Sequence, residues 1–182
     1  MTAQNTYTGT TTVSAGTLRL NRTGGNTIPV TNNVVVSGGT LQISTNQTIN
    51  NLDLTGTGSL TIDAGVTLTV NGTYTPGSGT ITNNGTLVLA GTGDHLFPTG
   101  SVAAMNNLTI SKSSGTVTLN SALTLAGNLS ITAGILNANG NDISIYGDWT
   151  RASGATFTPS TGTVTFTGTN AQTITISGGG TA

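Results

Sequence analysis

Few side chains in this 182-residue sequence can do chemistry, and their spacing limits what that chemistry could be. There is no Glu and no Cys; the carboxylates are Asp53, Asp63, Asp94, Asp142 and Asp148. The cations are Arg19, Arg22, Lys112 and Arg151, and His95 is the single histidine. Hydrolysis of a glycosidic bond needs two carboxylates at a defined separation. A calcium-dependent polysaccharide lyase needs several acidic ligands and a basic residue. Here the aspartates are scattered: Asp142 and Asp148 bracket one short segment, and Asp53 and Asp63 stand apart. Asp94-His95 is the only acid–histidine neighbour pair. Neighbours on a strand point to opposite faces, so this pair converges only if it lies in a loop. The pattern predicts no catalytic residue, no cofactor site, no metal site and no enzyme.

Other patterns suit binding. Thr163, Thr165 and Thr167 face outward if Val164 and Phe166 face inward, and Thr173 and Thr175 do the same around Ile174. Regular Thr arrays of this kind suit an ice-binding surface. Trp149, with Tyr74 and Phe157, could stack on a sugar. Thr163, Thr165, Thr167, Thr173, Thr175 and Trp149 are therefore the candidate ligand surface. The plainer account is that Thr is a strand-favouring outer residue and that the aromatics fill widened corners of a core. Thr-x-Thr is also not repeated at constant spacing. Six glycosylation sequons, at Asn21, Asn46, Asn71, Asn84, Asn107 and Asn128, follow from a composition rich in Asn and Thr. They matter only in a eukaryotic secretory host.

Composition shows what must position these residues. Charged residues are 5% of the chain and the formal net charge is -1, so there is no basic footprint for nucleic acid or an anionic membrane. Apolar runs are too short to insert into a bilayer, and the Val, Ile and Leu residues are too regularly placed for a disordered tract. Thr favours extended backbone, while Gly and Asn supply the positive φ of tight turns. The absence of cysteine leaves stability to the core alone and is compatible with export. Met1-Thr2-Ala3-Gln4 leads straight into repeat sequence without a signal peptide.

Alternating apolar and polar residues recur throughout, as in Leu41-Gln42-Ile43, Leu68-Thr69-Val70, Leu108-Thr109-Ile110 and Ile143-Ser144-Ile145. A two-residue period puts the aliphatics on one face. Three interleaved series, 68→87→108→129, 123→143→164 and 18→41→60, step by about 20 residues. That is the signature of coils with several strands each, stacked so that no coil buries its own inward face alone. The fold class is therefore all-β: one continuous parallel β-solenoid over residues 1–182, about 20 residues per coil. Roughly nine coils at the strand spacing would give a rod of about 40 Å.

A longer repeat lies over this period. Tyr74-Thr75-Pro76-Gly77 through Ile81-Thr82 matches Phe157-Thr158-Pro159-Ser160 through Val164-Thr165, an offset of 157 − 74 = 83. Leu68 to Tyr74 resembles Ile143 to Trp149, and Gly91 to Phe97 resembles Gly168 to Ile174, which puts His95 where Gln172 stands. The sequence stops within a repeat, as a fragment of a longer repeat protein would.

The opening Asn5-Thr6-Tyr7-Thr8-Gly9 through Val13-Ser14-Ala15-Gly16-Thr17-Leu18-Arg19-Leu20 resembles the autotransporter-associated β-strand repeat, and Val34-Val35-Val36-Ser37-Gly38-Gly39-Thr40-Leu41 resembles its second half. Gly147-Asp148-Trp149-Thr150 and Phe157-Thr158-Pro159 are similar, more loosely, to long secreted bacterial repeat proteins. The resemblance implies a right-handed β-helix in an exported passenger and carries no catalytic residues. It makes the expected role a structural or adhesive rod, extracellular or on the bacterial cell surface. Expected partners are the chain itself or neighbouring repeats end to end, and a surface glycan or host protein. Carbohydrate or ice binding is the alternative.

Overall fold

The computed structural model describes residues 4–97 and 101–178, with the side chains of 101–104 outside the description. All described strand pairings are parallel. They build a β-solenoid of about 8 turns with a spacing near 21 residues, rather than nine turns of 20. The coils are longer than the leanest spacing because they take up extra residues at their corners.

Each coil visits three rows of strands in turn. Face A carries Thr11–Val13, Val34–Val36, Leu52–Asp53, Tyr74–Thr75, His95–Phe97, 116–119, 135–137 and Thr156–Thr158. Face B carries Thr17–Leu20, Thr40–Ile43, Ser59–Ile62, 80–83, 101–105, Leu123–Leu125, Ile143–Ile145 and Val164–Phe166. Face C carries Gln47–Ile49, Thr67–Val70, 86–91, 107–112, 129–131, Trp149–Arg151 and Ile174–Ile176.

The spacing series of the sequence are the register of this stack. Leu68 pairs Leu87, Leu87 pairs Leu108 and Leu108 pairs Leu129 on face C. Leu123, Ile143 and Val164 line up on face B, as do Leu18, Leu41 and Leu60. Each inward aliphatic is covered by the one a coil above, so Leu41, Leu60, Leu87, Leu108 and Leu129 are all 0% exposed. The 83-residue repeat also holds, since Tyr74 and Phe157 both lie on face A, with Ile81 and Val164 following on face B. The other likenesses slip by one face. Leu68 lies on face C and Ile143 on face B; Phe97 lies on face A and Ile174 on face C. Three rows built from the same alternation look alike in sequence wherever they stand.

Close stacking constrains the corners. Gly91 has φ +75°, and a Cβ there would lie 1.5 Å from the Asn71 carbonyl oxygen of the coil below. The ladder of face C runs from Gln47–Ile49 to Ile174–Ile176. That of face A does not run through: among the described residues, no strand pairing joins Tyr74–Thr75 to His95–Phe97.

Candidate functional site

A concavity lies at the open face of the last described coil. Trp149, Phe157, Val164, Phe166, Ile174 and Ile176 border a cavity of about 620 Å³. Phe157, Val164, Phe166, Ile174 and Ile176 lie on the last strands of the three rows among the described residues, and Trp149 lies one coil below Ile174. Trp149 packs edge-on against Phe157 at 4.8 Å between ring centroids and against Phe166 at 6.5 Å. The three rings widen the core at this level. Ile174 and Ile176 are each 56% exposed, although their counterparts Leu129 and Ile131 two coils below are 0% exposed. One cation borders the mouth: Arg151, whose Nη1 donates to the Ala155 carbonyl at 2.8 Å. The site is largely apolar and concave, and is edged by strands that are paired on one side only among the described residues.

The threonines fall on two faces. Thr165 lies in the Val164–Phe166 strand of face B with Thr163 and Thr167 flanking it, whereas Thr175 lies in the Ile174–Ile176 strand of face C with Thr173 just before it. On face B, Thr165 heads a short outward column, Thr124–Ser144–Thr165. On face C, Thr175 heads a long one: Thr48, Thr69, Val88, Thr109, Ser130, Thr150 and Thr175 stand in register through seven coils. Trp149 is on neither surface; it lies inward and is 5% exposed.

Asp94-His95 acquires a partner that spacing does not reveal. His95 points into the core, 2% exposed, and so does Lys112, 1% exposed. The Tyr74 backbone N–H donates to His95 Nδ1 at 3.0 Å, in place of the missing strand pairing of face A. His95 Nε2 lies 2.5 Å from Lys112 Nζ, and Lys112 Nζ donates to the Ala90 carbonyl. Burial holds the imidazole below its ordinary pKa, with the neighbouring Lys112 acting in the same direction and the Ala90 and Tyr74 backbone and Asp94 opposing. Burial also lowers Lys112, against the pull of Asp94. His95 thus fills a structural gap, much as Gln172 does: Gln172 accepts from the Gly168 N–H at 2.8 Å and donates to the Ile145 carbonyl at 3.0 Å.

Most carboxylates are occupied in holding coils together. Asp94 Oδ1 accepts the Thr116 N–H at 2.7 Å, Asp142 Oδ1 that of Thr163 at 2.8 Å, and Asp148 Oδ1 that of Thr173 at 2.8 Å. Asparagines do the same: Asn26 for Thr48, Asn46 for Thr67, Asn51 for Thr73, Asn107 for Asn128 and Asn128 for Asp148. An acceptor at the strand entry thereby caps a corner N–H of the next coil. Asp63 instead takes Gln42 Nε2 at 3.0 Å and the Ser44 hydroxyl at 2.6 Å, with Arg19 at 4.0 Å. Its pKa is lowered by the Ser44 and Gln42 hydrogen bonds, then by Arg19, against burial. Sequence reasoning missed this series, although Asn107-Leu-Thr-Ile, Asn128-Leu-Ser-Ile and Asp148-Trp-Thr-Arg carry its signal: Asn or Asp next to the first inward residue of three successive face-C strands. Among the described residues, no three His or Asp side chains stand together as a metal site. No family model, no curated protein and no solved structure matches this chain.

Proposed function

We propose that this chain is a structural rod segment of a secreted or cell-surface bacterial repeat protein, extended by stacking end to end. The observation that carries the reading is the open coil around Trp149, Phe166, Ile174 and Ile176, an apolar surface edged by strand rows that end there among the described residues. The occupant we assign to it is a second copy, joined through its first coil. That coil presents Thr11–Val13 and Thr17–Leu20, each paired on one side only. A parallel solenoid meets its own opposite end in the geometry of its internal ladder, and such a head-to-tail contact does not close, so it makes a fibre. A net charge of -1 opposes this association little. The commitment of Asp94, Asp142 and Asp148 to coil-to-coil hydrogen bonds supports a mechanical rather than catalytic role.

The test is mass by light scattering and filament formation by electron microscopy, for the wild type and an Ile174→Asp/Ile176→Asp variant. Concentration-dependent fibres lost in the variant are expected. Monodisperse monomer at high concentration with no filaments overturns the reading.

The face-C column from Thr48 to Thr175 favours a second reading, a ligand surface for ice or an ordered polysaccharide. Its small residues repeat at the strand spacing of ~4.8 Å. Thermal hysteresis or pull-down on crystalline glycan, abolished by Thr109→Tyr, is the expected sign; activity unchanged in that variant, or none in the wild type, removes it.

A further inference from the structure

We propose that Lys112 is held as an uncharged amine, accepting a hydrogen bond from the Nε2–H tautomer of His95, and that this pair is a proton-operated latch across the gap in face A. The argument starts from a donor of fixed identity. The Tyr74 backbone N–H can only donate, and it points at His95 Nδ1 at 3.0 Å. Nδ1 must therefore present its lone pair, which leaves the proton of a neutral imidazole on Nε2. Nε2 faces Lys112 Nζ at 2.5 Å. An ammonium there would set N–H against N–H, because a lysine ammonium has no lone pair to offer. A neutral amine resolves the conflict: it accepts from Nε2–H and still donates to the Ala90 carbonyl.

Position gives the pair its consequence. Tyr74–Thr75 and His95–Phe97 are consecutive rows of face A that no strand pairing joins among the described residues. The imidazole supplies the missing acceptor, and Lys112 holds the imidazole from the neighbouring face. Space for the Lys112 stem comes from Gly134 one coil above, where a Cβ would stand 2.4 Å from the Lys112 Cβ. The titratable groups facing the pair are few. Asp94 acts on both from the same segment as His95, and the Tyr74 phenol is buried. The strands 80–91 and 129–137 on either side of Lys112 contribute none. Burial disfavours charge on both groups, in agreement with the directions in which their proton affinities move.

The sign follows from linkage. The unfolded chain carries Lys112 as a cation up to its ordinary pKa, and the folded chain carries it neutral, so folding releases a proton. Stability therefore rises with pH from the folded pKa of Lys112 towards about 10.4. It falls on acidification, tenfold in the folding constant per pH unit over that window. Protonation sets two donors face to face and turns His95 away from the Tyr74 N–H, so the gap opens there first.

Lys112 is the only lysine and His95 the only histidine, so selective labelling gives one signal for each. The test follows the Lys112 Cε resonance of the intact chain from pH 6 to 11, with the exchange protection factor of the Tyr74 amide at each pH. The expected result is a Lys112 midpoint at least one pH unit below about 10.4, with Tyr74 protection falling at least tenfold as the lysine gains its proton. Should the chain unfold before the amine titrates, the tenfold-per-unit dependence of the unfolding constant reads the same proton, and Lys112→Met removes it. A midpoint less than one pH unit below the ordinary value of about 10.4, or above it, overturns the neutral amine. A lowered midpoint with constant Tyr74 protection overturns the latch.

Discussion

Leu108 offers the sharpest test of the stacked core. Its side chain is 0% exposed and lies between Leu87 below and Leu129 above, both also 0% exposed. Removing a buried Leu side chain to Ala costs about 2–5 kcal/mol, the figure rising with the cavity that survives relaxation. Relaxation is poor here. The neighbouring leucines are fixed in height by ladder hydrogen bonds on both sides of 107–112, which hold the coils at ~4.8 Å. Leu108→Ala should therefore fall in the upper half of the range, at about 4 kcal/mol. With a urea m-value of about 2 kcal/mol/M, the unfolding midpoint drops by roughly 2 M. The control is Leu96→Ala, the same change at a residue that is 53% exposed on the outward side of face A; it should move stability by no more than about 0.5 kcal/mol. The assay is urea denaturation followed by far-ultraviolet circular dichroism. A Leu108→Ala shift below about 0.5 M, or equal shifts at both positions, would refute the account of a dry column roofed coil by coil.

Gly91→Ala places a Cβ 1.5 Å from the Asn71 carbonyl oxygen at φ +75° and should abolish folding, whereas Gly154→Ala, at φ +81° with no atom within 4 Å, should cost about 1 kcal/mol of melting stability. Asn128→Ala removes the acceptor for the Asp148 N–H, 2.7 Å away at an exposed corner, and should cost about 0.5–1.5 kcal/mol in the same denaturation assay; Asn128→Asp should restore it. Hydrogen bonds from Ser44 and Gln42, and then Arg19, hold the Asp63 carboxyl below its usual value, so its contribution is present above pH about 4 and lost as pH falls through the lowered pKa. Asp63→Asn should flatten that acid limb of the stability curve by less than about 1 kcal/mol, because the site is solvated.

The stack was legible because one aliphatic spacing sets both the strand and the coil. Leu68, Leu87, Leu108 and Leu129 alternate with polar neighbours, which gives strand, and recur about every 20 residues, which gives register; the structure pairs them in that order. The assignment of strands to faces was less legible. Ile143-Ser144-Ile145 and Leu68-Thr69-Val70 share one pattern, yet lie on faces B and C. Thr165 and Thr175 separate for the same reason, since alternation says which residues point out but not towards which side. Trp149 admits two readings from sequence, sugar platform or core filler, because an aromatic at a repeat position serves equally as surface or as core; it packs inward on Phe157. The pairing of Lys112 with His95 was out of reach, because Lys112 occupies an inward position that alternation reserves for aliphatics.

Buried polar side chains in this core share one cause. A parallel ladder leaves no backbone group unpaired until a coil skips a strand or turns a corner, and at those points a side chain must substitute. Gln47 meets both the N–H and the carbonyl of Ile28, where the first coil has no face-C strand. Asn83 takes the Gly85 N–H and donates to the Asn107 carbonyl at the corner between faces B and C. Gln172 does the equivalent for Gly168 and Ile145. Each of these is an amide that offers donor and acceptor at any pH. At the face-A gap the same task falls to His95, whose second nitrogen must then find a buried partner of its own, and that partner is Lys112. An amide plug is indifferent to protons; an imidazole–amine plug is not. The gap between Tyr74–Thr75 and His95–Phe97 is therefore where acidity has purchase on an otherwise nearly uncharged core, and replacing the pair with an amide and an aliphatic should remove that sensitivity while leaving the stack in register.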